Sequence, residues 1–282
     1  MQAGFSSYAV GWTVSAAWDE DAPTLDAFGV VDLALELGYG RVQLADNVPL
    51  HSLSAAERDA LQRKARETGI AIEIGTRGLT VENVRRYVEI AATFRSPFLR
   101  IVLDPMDCEP SPDSVIALLR TQVSLLEHSG VVLAIENHDR FKSDELARIL
   151  TEVDSPWVRI CLDTANSFGA GEDVTTVVRH LAAYTVNVHL KDVRIRRVSS
   201  LQGFTIEGVP LGEGIVPIEW VIRELARHRC CRTATLEHWV PPEPDVADTA
   251  RKEREWCVRS TATMRRLFPG SFGSVQHETR AG

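Results

Sequence analysis

Eight short apolar runs recur along the chain, and stretches of helical period separate most of them. The runs are Tyr8–Val14, Arg41–Leu44, Ile70–Ile74, Phe98–Leu103, Val131–Glu136, Val158–Asp163, Thr185–Leu190 and Thr233–Glu237. Several, such as VVLAIE, contain almost no polar residue, the pattern of strands buried on both faces of a parallel sheet. The stretches between them carry helix signals. SAAERDALQRKARETG opens on Ser54, a side chain suited to N-capping, and closes on Gly69. Thr80 precedes VENVRRYVEIAATF, LDAFGVVDLALELG ends in Gly38, and DSVIALLRTQVSLLEHSG ends in Gly130. SDELARILTEV starts at Ser143, PIEWVIRELARHR places Pro217 near a first helical position, and a last long helix is expected from about Val246 to Leu267. An unbroken βα alternation implies a parallel sheet. Eight units in 282 residues point to one closed (β/α)8 barrel, with a doubly wound open sheet as the structural alternative. No GxGxxG follows the first run, so the dinucleotide-binding form of the open sheet has no support. The barrel is expected to occupy residues 1–268, and residues 269–282, PGSFGSVQHETRAG, read as a polar tail.

Composition narrows the class of function. Hydrophobic residues at 44% and charged residues at 25% fit a globular protein with a large core. The formal net charge of -8 argues against a nucleic-acid backbone as main partner, because such proteins neutralise phosphates with clustered Lys and Arg. No apolar run approaches the roughly 20 residues of a membrane helix. The opening MQAGFSSYAVGW lacks a basic region followed by an apolar stretch, so a cytoplasmic location is expected. The five cysteines (Cys108, Cys161, Cys230, Cys231, Cys257) form no CxxC, which argues against a disulfide framework or zinc knuckle. Cys161 lies in an apolar run and reads as a small core residue.

In an α/β barrel the chemistry gathers at the C-terminal ends of the strands. The fifth run ends in Glu136, the sixth in Asp163, and the eighth in Glu237, while His189 stands at the end of the seventh. One carboxylate after a strand is usually a helix cap or a solvated charge. Four consecutive strands delivering four metal-capable side chains to one rim is a different matter. Three carboxylates and one imidazole form an oxygen-rich donor set that suits Mn²⁺, Mg²⁺ or Co²⁺ better than structural zinc, while Zn²⁺ remains compatible.

The segments IENHDRF, CLDTANSFG, VHLKD, PLGEG and TLEHW resemble the xylose isomerase-like barrel family, which includes ketose 3-epimerases, hydroxypyruvate isomerases, inosose and dehydroshikimate dehydratases, and endonuclease IV. The resemblance covers the second half of the chain by motif and all of it by fold pattern. It implies one divalent ion, Mn²⁺ as first choice, held by Glu136, Asp163, His189 and Glu237. It further implies proton abstraction next to a sugar carbonyl through a metal-stabilised ene-diolate, with Glu136 and Glu237 moving the proton.

One departure bears on the reaction. The epimerase group carries proline after its first glutamate, whereas this chain has Asn137 and then His138. Residues two apart on a strand share a face, so His138 is a candidate base, as on the dehydratase side of the family, or else bonds to a neighbouring loop. His238, next to Glu237, turns the other way and reads as structural. Substrate-binding candidates are Trp12 as an apolar wall, Gln43 and Asn166 as hydrogen-bonding groups, and Arg77 for an anionic group. Lys191 is a further candidate, for polarising a substrate oxygen; Asn166 could equally cap the next helix, and Lys191 could instead pair with Asp192 or another loop residue. Arg100, if it faces inward, requires a carboxylate partner. The segment from Lys191 to Val216 is long for a connection and shows little helical pattern, so it is expected to act as a lid. There Arg194, Arg196 and Arg197 are candidates for a carboxylate or phosphate, or else are solvated or contact another subunit, and Phe204 is a candidate for closing over substrate.

The leading expectation is therefore a metal-dependent isomerase or epimerase of a small carbohydrate or keto-sugar acid, with a homo-oligomer compatible. The alternative is a lyase on the same scaffold, which decarboxylates a 3-keto sugar acid, dehydrates, or expels an aglycone. An endonuclease of the zinc-cluster type would need more strand-end histidines, and a barrel that only binds sugars would not need the four-residue donor set.

Overall fold

The protein is described from a computed structural model, which covers residues 1–14, 24–104 and 110–272. Eight parallel strands close into a barrel in the order β1-β10-β7-β6-β5-β4-β3-β2. They are β1 (Gln2–Ser6), β2 (Arg41–Leu44), β3 (Ala71–Arg77), β4 (Phe98–Val102), β5 (Val132–Glu136), β6 (Val158–Asp163), β7 (Thr185–Leu190) and β10 (Thr233–Leu236). Closure comes from β10 pairing with β1, Gln2 beside Thr233 through Phe5 beside Leu236. The outer layer comprises α1 (Gly11–Val14), α2 (Ala27–Glu36), α3 (Ala55–Thr68), α4 (Val81–Thr93), α5 (Pro112–Ser129), α6 (Ser143–Val153), α7 (Val174–Leu181), α8 (Ile218–His228) and α9 (Val246–Leu267). Among the described residues, no helix is long and apolar enough to cross a membrane.

Local chemistry explains the helix bounds. Ser54 and Glu57 form a capping box at the start of α3, and Thr80 caps α4 through the Asn83 amide. Gly69 and Gly130 end α3 and α5 with φ of 73° and 67°, where a side chain would be strained. Apolar faces of these helices and outward-facing strand residues such as Val42, Ile72, Leu99 and Leu133 make one continuous core.

One expectation is corrected. Tyr8–Val14 is not the first strand. The strand is Gln2–Ser6, and Tyr8 to Val14 lie in a 3₁₀ turn followed by α1. The Ser6 hydroxyl accepts a hydrogen bond from the Tyr8 amide and turns the chain out of the barrel. QAGFS has little strand character of its own, and pairing with both β10 and β2 holds it extended.

The segment after β7, expected to act as a lid, is built of two strands. It forms an antiparallel hairpin of β8 (Asp192–Arg197) and β9 (Phe204–Val209). Its base is tied by the buried Asp192 carboxylate, which accepts from the amides of Gly212, Gly214 and Val216. At the opposite end of the barrel, Ser271 accepts from the Ala3 amide, and the Phe272 ring packs edge-on against Tyr39 at 4.9 Å. Residues 269–272, expected to begin a tail, thus contact the barrel. Cys108 lies outside the described residues.

Candidate metal centre

Strand ends bring the four donors together. Glu136 and Asp163 end β5 and β6, His189 is the penultimate residue of β7, and Glu237 follows β10 directly. All four are buried, and one potential ligand atom from each lies within 4.8 Å of the others. His189 Nδ1 stands 3.2 Å from Glu237 Oε1, 3.5 Å from Glu136 Oε2 and 3.8 Å from Asp163 Oδ2. Parallel register places Asp163 beside His189, so the cluster follows directly from strand pairing.

Hydrogen bonding shows that these donors fit a metal ion. His189 Nδ1, Asp163 Oδ2 and Glu237 Oε2 are buried and accept or donate no hydrogen bond. Buried polar atoms are ordinarily satisfied, so three together imply an absent partner. Lys191 Nζ lies 2.9 Å from each of the two oxygens but outside hydrogen-bond geometry. His189 Nε2 is 2.7 Å from Gln43 Oε1, to which it donates; this fixes the tautomer whose Nδ1 lone pair faces the three carboxylates. Oxygens plus one imidazole nitrogen suit a divalent cation of the Mg²⁺, Mn²⁺, Co²⁺ or Zn²⁺ group.

The remaining lone pairs are held by the surrounding side chains. Asp163 Oδ1 accepts from the amides of Ala165 and Asn166 at 2.8 Å each. Ser6 Oγ donates to Glu237 Oε1 at 2.8 Å, and Asn166 Nδ2 donates to Glu136 Oε1 at 2.7 Å. Arg100 is buried and donates through Nε to Glu136 Oε2 and through Nη1 to Asp46. Room for its stem exists because its β3 neighbour is Gly75, where a Cβ would stand 3.3 Å from Arg100 Cδ.

Charge balance explains the protonation states. Burial opposes ionisation of Glu136, but the Arg100 guanidinium, then His189 and Lys191, outweigh it and hold its carboxyl well below the usual range. Burial likewise opposes ionisation of Glu237, and His189 and Lys191 outweigh it there. In the metal-free protein His189 is pushed well above its ordinary value. Burial would lower it, and Cys161, Glu237 and Glu136 together prevail. The cluster therefore demands positive charge, which a divalent ion satisfies in place of that proton.

The substrate candidates divide. Asn166 and Lys191 join the cluster, with Lys191 Nζ also 3.2 Å from Asn166 Oδ1 and 5.5 Å from the Trp239 ring centroid. Trp12 sits in α1, not at a strand end, with Nε1 donating to Val240 O. It lines a cleft of about 450 Å³ together with Tyr8, Ile206 and Trp239. Gln43 is fully buried inside the barrel, bonded to His189 and to Glu73 and Asn187. Arg77 pairs with Asp104 at 2.9 Å. Arg197 and Phe204 oppose one another on the hairpin, the guanidinium 4.8 Å from the ring, and neither joins the cluster. His138 stands at the rim outside the four-donor group, with Nδ1 bonded to Asp139. His238 is buried between the Ala9 carbonyl and Ser260 Oγ.

Ser6, Asp46 and Trp239 escaped the sequence reading. Ser6 was hidden by the misplaced first strand; its position beside Gln43 in the β1–β2 register is a tertiary fact. Trp239, two residues after Glu237, was legible by the same alternation that drew attention to His138.

Residues 31–259 match the xylose isomerase-like TIM barrel family, and the chain belongs to that family. The 3-oxo-isoapionate decarboxylase of Pectobacterium atrosepticum is 29% identical over 260 residues, 92% of this chain and 94% of the relative. The D-psicose 3-epimerase of Clostridium cellulolyticum H10 superposes with a TM-score of 0.69 at 15% identity, over 95% of this chain and 99% of that one. A xylose isomerase-like TIM barrel protein from Mycobacterium smegmatis, crystallised with magnesium, gives 0.67 at 17% identity, over 93% and 96%. Both structures share the fold.

Proposed function

We propose that this protein is a divalent-metal-dependent lyase that decarboxylates a 3-oxo acid of the sugar-acid class. The observation that carries this reading is the clamping of both rim glutamates in the ionised form. Glu136 is held by Arg100 and Asn166, and Glu237 by Ser6, with Lys191 at 2.9 Å. An epimerase must take a proton on one such carboxylate and return it from the other, so groups held this firmly as anions serve poorly. Loss of CO₂ from a carbon next to a carbonyl needs no initial base. The C–C bond electrons pass to the carbonyl oxygen, CO₂ departs, and a proton is then added at carbon.

Glu136, Asp163, His189 and Glu237 would hold a divalent ion, which would supply electrophilic stabilisation for a carbonyl oxygen. The protein's own groups do the rest. Lys191 is the cation positioned to pair with a sugar-acid oxygen, and Asn166 orients it through Oδ1. His138, steered by Asp139, is the candidate proton donor at the rim. Trp12 and Trp239 line a neighbouring cleft, and the Trp239 ring reaches to 5.5 Å from Lys191 Nζ. The likeness in sequence to a 3-oxo-isoapionate decarboxylase supports the same reading.

The test is to supply 3-oxo sugar acids to the metal-reconstituted protein and follow CO₂ in D₂O. Release of CO₂ with one deuterium in the product is expected. Deuterium entering unchanged or epimerised ketose without CO₂ would replace this reading with the isomerase one.

A further inference from the structure

Cys161 has no part in the reaction just described, yet it lies against the metal donors. Strand alternation puts it on the same inward face as Asp163, two residues deeper in the barrel, roughly 6–7 Å along the strand. Register sets it beside Glu136 on β5. Its Sγ, one Glu136 oxygen and one His189 nitrogen lie within 4.8 Å of one another, all three residues buried. The thiol spends its proton on Asn187 Oδ1 at 3.0 Å. His189 Nδ1, the nitrogen turned toward the donors, is without a hydrogen-bond partner.

We propose that the barrel contains a second, deeper metal position formed by Glu136, Cys161 and His189, which captures thiophilic divalent ions and excludes occupancy of the oxygen-rich set. Thiolate is a soft donor that favours ions such as Cd²⁺ and Zn²⁺, whereas Mg²⁺ and Mn²⁺ prefer carboxylate oxygen. Glu136 and His189 belong to both sets, and with Nε2 bonded to Gln43 the single Nδ1 lone pair of His189 serves one ion at a time. On capture the Sγ–H bond breaks, its electron pair forms the bond to the ion, and the proton leaves to solvent. The deeper ion forgoes Asp163 and Glu237. The consequence is a centre that sorts ions by depth, hard ions at the rim and soft ions beneath it. The inference rests on the four-donor metal centre but not on the choice of decarboxylation.

The test uses chelator-stripped full-length protein titrated with Cd²⁺, following the ultraviolet thiolate-to-cadmium charge-transfer band, with Mn²⁺ binding measured by electron paramagnetic resonance. Wild type is expected to develop one equivalent of band that preloaded Mn²⁺ suppresses. Cys161→Ser is expected to lose that equivalent while binding Mn²⁺ as wild type does, which also reports an intact fold. Signal from Cys230 or Cys231 would persist in the variant and ignore Mn²⁺. A Mn²⁺-sensitive band surviving in Cys161→Ser, or wild type that binds Mn²⁺ but shows no such band, overturns the deeper site alone. Wild type that binds no Mn²⁺ overturns both it and the metal centre.

Discussion

The Gln43 amide oxygen sits 2.7 Å from His189 Nε2, on the far side of the imidazole from three carboxylates. Its amide nitrogen faces Glu73 Oε2 at 3.4 Å and Asn187 Oδ1 at 3.3 Å, so the amide cannot turn over without placing its oxygen against two acceptors. These contacts keep His189 Nδ1 turned toward the three carboxylates. Gln43→Leu is expected to weaken Mn²⁺ binding about 10- to 100-fold, the usual effect of losing a partner behind a metal-bound histidine. Titration by electron paramagnetic resonance checks it, and unchanged affinity would remove Gln43 from the site.

Arg100 is buried between Glu136 and Asp46, and its guanidinium lies 5.7 Å from the Tyr8 ring centroid. Arg100→Met leaves a buried carboxylate without its cation. A loss of about 3–5 kcal/mol in urea unfolding is expected for the metal-free protein. Loss below about 1 kcal/mol would mean that Glu136 finds another partner or protonates.

Glu73 offers a pH test. Burial raises its carboxyl from 4.5 to about 7, with Arg41 only partly offsetting it. A folded value above the unfolded one means stability is full below about 4.5 and declines as pH rises to about 7. Glu73→Gln has no such proton to lose. Unfolding of metal-free protein at pH 5 and pH 8 should therefore show wild type losing stability relative to the variant, and parallel behaviour would count against this account.

Asp173 runs the opposite way. The Thr175 and Thr176 hydroxyls and amides at the start of α7 lower its carboxyl from 3.8 to about 2. Its contribution is present above the unfolded value and disappears as pH falls through about 2. Asp173→Ala is expected to cost about 0.5–2 kcal/mol at neutral pH and progressively less as pH falls from about 4 through about 2, by chemical denaturation.

Gly208 lies in β9 with its Cα facing the Trp239 backbone, and a Cβ there would overlap the Trp239 carbonyl. Gly208→Ala should displace the hairpin from the cleft and change the near-ultraviolet dichroism of Trp239, with the unfolding midpoint little altered. An unchanged spectrum would show that neither the hairpin nor Trp239 moves, and would count against this contact.

The order of βα units, the helix caps at Ser54, Thr80 and Gly130, and the strand ends bearing Glu136, Asp163, His189 and Glu237 were all legible in the sequence, because each depends on neighbours a few residues away. Period 2 in a strand and the polarity of a barrel suffice to place those four at one rim. Tertiary structure decided the rest. QAGFS forms a strand only between β10 and β2, and Tyr8–Val14, the more apolar run, is turned outward. The segment after β7 forms a hairpin because cross-strand pairs such as Ile195 with Ile206, and the Asp192 carboxylate at its base, supply order that no local period signals. The sequence could propose that Gln43 meets substrate; only barrel closure brought it against His189, 146 positions away. The same closure put the buried Arg100 guanidinium on Glu136, whose carboxyl it holds well below the usual range. Contacts of that range depend on strand order and shear, which a chain encodes only through the packing of the whole barrel.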